Sequence, residues 1–294
     1  MENKNTNGIT LYGYSERGVM NALFYGIAYR GDENNLRKLL KLAVNDEADN
    51  YLDFKIIMEG SLSDFGDSDA IIIAKRKNTE NIQTVFFIEA KVSNGDNKNT
   101  LEKRYKDFCN NFNSNKREGG YSSNLFYQLC LKHYLFKLTR IIKDNSDLNE
   151  YKDKNLEDLI KLADYVDYKG YITRKGSNKR RKFGKNPVVH KFINDIKNCS
   201  DAKYIAIVPD PNENNIDKSI KNFIRDKNID IITQPDFIDN LHFITWHQIK
   251  DEWLKNEELN ENIQKSIEYN QNLILIKKSN PNAPTHNGAT QIKI

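Results

Sequence analysis

Apolar residues recur at steps of three and four from Tyr14 to Arg30, where Met20, Leu23 and Ile27 line one face of a predicted helix with Ser15 placed to cap it. LRKLLKLAV (36–44) repeats that period over a shorter length. The period then shortens. DFKIIME (53–59), DAIIIAKR (69–76) and QTVFFIEAKV (83–92) read as three strands in quick succession, and the last two are apolar on both alternating faces. Such strands lie in the middle of a sheet with helices on each side. KNTENI between them is a polar hairpin loop. Residues 93–120 are polar and read as a mobile connection, after which SSNLFYQLCLKHYLFKLTRII (122–142) predicts a long helix capped by Ser122 or Ser123. AKYIAIV (202–208) and HFITW (242–246) are two more strands around a helical IDKSIKNFIRDKN, and a polar helix follows over 250–270. The expected fold is α/β, a mixed central sheet flanked by helices in the order helix, three strands, helix, strand, helix, strand. It occupies one domain over 1–277, with 143–200 a basic, partly helical insertion and 278–294 a loose tail.

Composition narrows the class. The 294 residues are 38% hydrophobic, enough for a packed core. Cys109, Cys130 and Cys199 show no CxxC spacing, which argues against a disulfide scaffold or a structural zinc site. The N-terminal MENKNTNGIT lacks the apolar core of a signal peptide, and no run approaches the roughly 18 apolar residues of a membrane span. A reduced, cytoplasmic protein without a membrane partner is the expectation. The net charge of +4 is mildly basic, so the placement of charge matters more than its sum.

The chemistry concentrates where the two central strands begin and end. Asp67 and Asp69 open one, and Glu89 and Lys91 close the other. Paired as a hairpin with a five-residue loop, 77–81, the strands set Asp69 opposite Glu89, and Asp67 and Lys91 project from the same face. Opposed Cβ atoms lie about 4.5–5.5 Å apart, so two carboxylates can hold one ion. Without it, two such charges about 4 Å apart repel by roughly 4 kcal/mol at an effective dielectric near 20. Hard oxygen ligands at an open strand end suit Mg2+, with Mn2+ as a substitute. Lys91 places a positive charge beside that ion, suited to a phosphate or an attacking water.

This arrangement resembles the PD-(D/E)XK nuclease superfamily: an Asp opening one strand and Glu89-Ala90-Lys91 ending the next, within an α-β-β-β-α-β core spanning roughly residues 14 to 246. The resemblance implies a restriction-endonuclease-like fold and magnesium-dependent phosphodiester hydrolysis, usually of DNA, in restriction, defence or repair. It implies that Asp69 and Glu89 hold the metal, with Asp67 able to replace or assist Asp69, and that Lys91 acts on the water or phosphate. Glu16 on the first helix and Gln128 on the helix after E-x-K stand where family members often carry supporting polar residues. Ser68 replaces the proline of the motif's name. Double-strand cutting would favour a homodimer.

A second signal is TRKGSNKRRKFGKN (173–186), in which Arg174, Lys175, Lys179, Arg180, Arg181, Lys182 and Lys185 occur with no acid among them. Such a run is a solvated loop or a set of phosphate contacts to nucleic acid, and Tyr168, Tyr171 and Phe183 offer stacking surfaces. No P-loop, GxSxG or HExxH spacing occurs, His133 reads as packing, and Trp246 reads as a core anchor. The competing function is a nucleic-acid-binding or assembly subunit that keeps the fold without chemistry.

Overall fold

The structure, a computed structural model, describes residues 10–29, 33–62, 65–79, 82–91, 98–114, 124–144, 187–209, 216–226, 235–255 and 289–293. Its centre is a five-stranded mixed sheet made of β2 (Tyr51–Ser61), β3 (Asp67–Arg76), β4 (Gln83–Ala90), β5 (Cys199–Val208) and β6 (Leu241–Thr245), side by side in that order. β2, β3 and β4 run antiparallel, whereas β4–β5 and β5–β6 are parallel. Parallel neighbours require a crossover, and helices supply both. The fold is thus α/β, with helices covering a mixed sheet. Among the described residues, no helix is long and apolar enough to cross a membrane.

Strand alternation divides the core in two. Ile72, Ala74, Phe86, Ile88, Ile205 and Ile207 face α1 (Ser15–Tyr29), α2 (Glu33–Val44) and α8 (Trp246–Lys255). Ile71, Ile73, Val85, Phe87, Tyr204 and Ala206 face the other layer: α3 (Lys98–Ser114), α4 (Leu125–Asp144), α5 (Pro187–Ile196), α6 (Ile216–Asp226) and α7 (Pro235–Ile238). The predicted stripe Met20, Leu23, Ile27 is buried on the first of these layers, extended by Val19 and Phe24.

Four expectations require correction. The polar segment 93–120 contains α3, which hides because its composition is hydrophilic; among its described side chains, only Leu101, Tyr105, Phe108 and Cys109 reach the core. α4 starts after Asn124, not at a serine cap. Asn124 Oδ1 accepts from the backbone N–H of Phe126 at 3.0 Å and of Tyr127 at 3.3 Å, which satisfies donors that a helix start leaves orphaned. Trp246 begins α8 rather than ending β6, although it is the core anchor expected, 2% exposed. Within the supposed loose tail, β7 (Ala289–Lys293) pairs antiparallel with β1 (Thr10–Tyr14) in a separate two-stranded sheet.

Candidate active site

The β3–β4 ladder pairs Ala70 with Ile88, Ile71 with Phe87 and Ile72 with Phe86. Continued by one residue, that register sets Asp69 opposite Glu89, as the hairpin spacing predicts. Both stand on the face that carries Ile71, Val85 and Phe87, beneath α4. Asp69 is fixed across the strand pair, its Oδ2 accepting from the backbone N–H of Ala90 at 2.8 Å. Glu89 is 1% exposed. Burial is the largest cause of a rise in its pKa from the ordinary 4.5 to about 7; the Lys132 ammonium opposes the rise and the Asp69 charge adds to it. Burial also pushes Asp69 up, against the Ala90 N–H, Lys91, Lys132 and Arg17. Burial thus raises both acids, and a cation beside them would offset the cost of ionising them.

Two lysines answer these acids from different directions. Lys91 follows β4 directly, is 9% exposed, and acts on both carboxylates. Its main chain is held on both sides: its N–H donates to Ile207 O at 2.8 Å and its carbonyl accepts from Trp246 Nε1 at 2.9 Å. Position and charge are therefore set by the sheet and by α8 together. Lys132, on α4, is fully buried. Its Nζ lies 3.0 Å from Glu89 Oε1 and donates to the backbone carbonyl of Asp67 at 2.8 Å. The contact with Glu89 is an ion pair between two buried groups. Gly66, at φ 77°, admits this ammonium: a Cβ there would stand 3.2 Å from Nζ.

The remaining candidates separate. Asp67 shares the strand face but offers the site its carbonyl rather than its carboxylate, which is 57% exposed and 3.9 Å from Arg17 Nη2. Arg17 also approaches Glu59 at 3.7 Å, and Asn21 bonds Glu59 at 2.8 Å, so the first turns of α1 border the same end of the sheet. Glu16 lies in that turn, and its side chain falls outside the described residues. Gln128 sits on α4 one turn before Lys132, with a buried Oε1 that has no hydrogen-bond partner. The basic residues Arg174, Lys175, Lys179, Arg180, Arg181, Lys182 and Lys185 all lie outside the described residues, as do Tyr168, Tyr171 and Phe183. His133 packs in the core with its Nδ1 2.9 Å from the Tyr204 hydroxyl. The three cysteines are buried and form no disulfide.

Sequence reasoning missed Lys132. Its signal was present: Leu125, Gln128, Lys132, Leu135 and Thr139 advance by three and four along one face of α4, and all but Gln128 are at most 1% exposed. A lysine inside such a stripe needs a buried anion.

Among the described residues, no three His, Cys, Asp or Glu side chains cluster closely enough to share a metal ion. Two do converge, and Mg2+ often takes one or two carboxylates and completes its shell with water or substrate phosphate. Buried Glu89, opposite Asp69 on one strand face and raised by the Asp69 charge, fits such a cation. The chain matches no protein-family model, and neither the curated proteins nor the solved structures contain a significant match.

Proposed function

We propose that this protein is a metal-dependent nuclease with a restriction-endonuclease-like core, acting on DNA as an endonuclease of restriction, defence or repair type. The observation that carries the reading is the β3–β4 register, which brings Asp69 opposite Glu89 with the Lys91 ammonium acting on both. Asp69 and Glu89 would hold the ion, Mg2+ or Mn2+, with Asp67 beside them as a carbonyl rather than a ligand carboxylate. The cation supplies Lewis-acid activation of a water and offsets charge on the phosphate. Lys91 contributes a fixed positive charge where a phosphoryl oxygen gains negative charge, and its rigid main chain makes that charge preorganised. Burial of Glu89 keeps bulk water from screening these charges. Gln128 offers a polar oxygen one helical turn from Lys132, suited to orienting a water. Arg17, at the rim, can meet a phosphate of the backbone.

The test is a cleavage panel of plasmid, single-stranded DNA and RNA with Mg2+ or EDTA. Wild type is expected to cut DNA only with Mg2+, and Asp69→Asn or Lys91→Ala should lower cleavage by about a hundredfold or more. Full resistance of every substrate, or undiminished cutting by both variants, refutes the proposal.

One observation favours a second reading. Glu89 already has a counter-ion in Lys132, so a non-catalytic nucleic-acid-binding or assembly subunit would be stable without metal. That reading predicts salt-sensitive DNA binding indifferent to EDTA and to loss of Glu89.

A further inference from the structure

We infer that Lys132 is a built-in placeholder for the cation of this site, so that metal loading is an exchange in which Glu89 passes from the Lys132 ammonium to the divalent ion. The inference rests on the metal-site reading above and adds what governs its occupancy. Four observations carry it. Lys132 and Glu89 are 0% and 1% exposed, so each charge is cut off from solvent and costly without a partner. The ammonium lies 3.0 Å from Glu89 Oε1, the distance of an exchangeable ion pair. It also donates to the Asp67 carbonyl at 2.8 Å, an anchor that persists when Glu89 changes partner. Finally, Gly66 leaves no side chain against Nζ, where a Cβ would stand at 3.2 Å.

The consequence is a site that stays folded when empty and binds its metal less tightly than its carboxylates alone would. A positive charge within a few ångströms of the ion opposes loading, and the Glu89–Lys132 attraction must be given up or shared. Removing the ammonium removes both terms.

The experiment compares Mg2+ affinity by titration calorimetry in wild type, Lys132→Met and Glu89→Gln, at about pH 8.5, where Glu89 is ionised in the wild-type fold. Lys132→Met is expected to bind Mg2+ about tenfold more tightly than wild type, to melt below it in EDTA, and to regain more of its melting temperature on adding Mg2+. Glu89→Gln should lose the binding. Should Lys132→Met fold only in Mg2+, that rescue supports the exchange too. Equal or weaker Mg2+ affinity overturns it, as does a Lys132→Met that stays unfolded in Mg2+ while the charge-free Glu89→Gln/Lys132→Met folds. If Met at 132 blocks folding in both, wild type decides: the Lys132 ammonium resonance moves on adding Mg2+ or, by staying put, overturns the exchange. Failures separate cleanly. Wild type that binds Mg2+ without cutting removes the nuclease reading alone; wild type that cuts, with Lys132→Met no tighter, removes the exchange alone; no Mg2+ binding by wild type removes both.

Discussion

Replacing Glu89 by Gln removes one titrating group from the middle of the site while keeping its volume, and the pH dependence of stability should report it. The metal-free fold raises Glu89 from 4.5 to about 7, chiefly by burial. The folded protein therefore holds that proton to higher pH than the unfolded chain does. Its contribution to stability is complete below about 4.5 and is lost as pH rises through about 7, a total of roughly 3 kcal/mol. His242 acts in the opposite sense. Burial first, then Lys221 and Lys203, lowers it from 6.5 to about 3, so its contribution is complete above 6.5 and is lost as pH falls toward 3. Between pH 4.5 and 6.5 the two groups have slopes of about 1.4 kcal/mol per pH unit and opposite sign, and they nearly cancel. Wild type should be almost flat there as far as these groups go. Glu89→Gln should leave the His242 slope exposed, gaining stability by about 1.4 kcal/mol per pH unit as pH rises. Guanidinium unfolding in EDTA across that window measures it. The slope is the readout, because stranding Lys132 also changes absolute stability. Parallel stability profiles for wild type and Glu89→Gln would refute the account of Glu89 as a buried, high-affinity proton site.

Two structural substitutions test the supports of the site. Gly66→Ala places a side chain at φ 77° and a Cβ 3.2 Å from the Lys132 ammonium, so it should cost about 2 kcal/mol in denaturant unfolding; a neutral result would mean that the turn and the ammonium relax freely. Asn124→Ala removes the cap of α4 and the bond from Asn124 Nδ2 to Arg104 O at 2.9 Å that ties α4 to α3. It should cost about 1–2 kcal/mol, and a loss below a few tenths would deny Asn124 the capping role. With the loss of cleavage in Asp69→Asn and Lys91→Ala and the tighter Mg2+ binding of Lys132→Met, these bracket the site from its chemistry to its scaffold.

The central hairpin was legible because β3 and β4 are apolar on both faces and separated by turn chemistry. Asp69 and E-x-K also fixed a register, since a slip of one residue would carry the acid of one strand to the other face of the sheet. What escaped the sequence was everything set by neighbours far along the chain. α3 reads as polar connection because, among its described side chains, a narrow strip from Leu101 to Cys109 meets the core, and the strip matters only once α4 and α6 pack against it. The pairing of β1 with β7 joins residues near opposite ends of the chain, a contact that no local pattern announces. Choosing between Asp67 and Asp69 needed burial: alternation puts both on one face, and only the structure leaves the Asp67 carboxylate in solvent beside Arg17.

Lys132 sharpens the central question of why this strand end carries charge at all. A plain strand-end salt bridge would pair Glu89 with Lys91 at the surface and be worth under about 1 kcal/mol. Instead Glu89 lies buried under α4 with a helix lysine as counter-ion and a second acid, Asp69, raising the cost of its ionisation. Buried ion pairs are poor sources of stability, because an apolar pair of similar volume is often neutral or better by 1–4 kcal/mol. Fold stability alone therefore gives no reason for two buried acids and two lysines here, where Lys91 and Lys132 oppose but do not cancel the cost of burying the carboxylates. Under the proposed function, a divalent cation, and a phosphate to share it, would turn this liability into use.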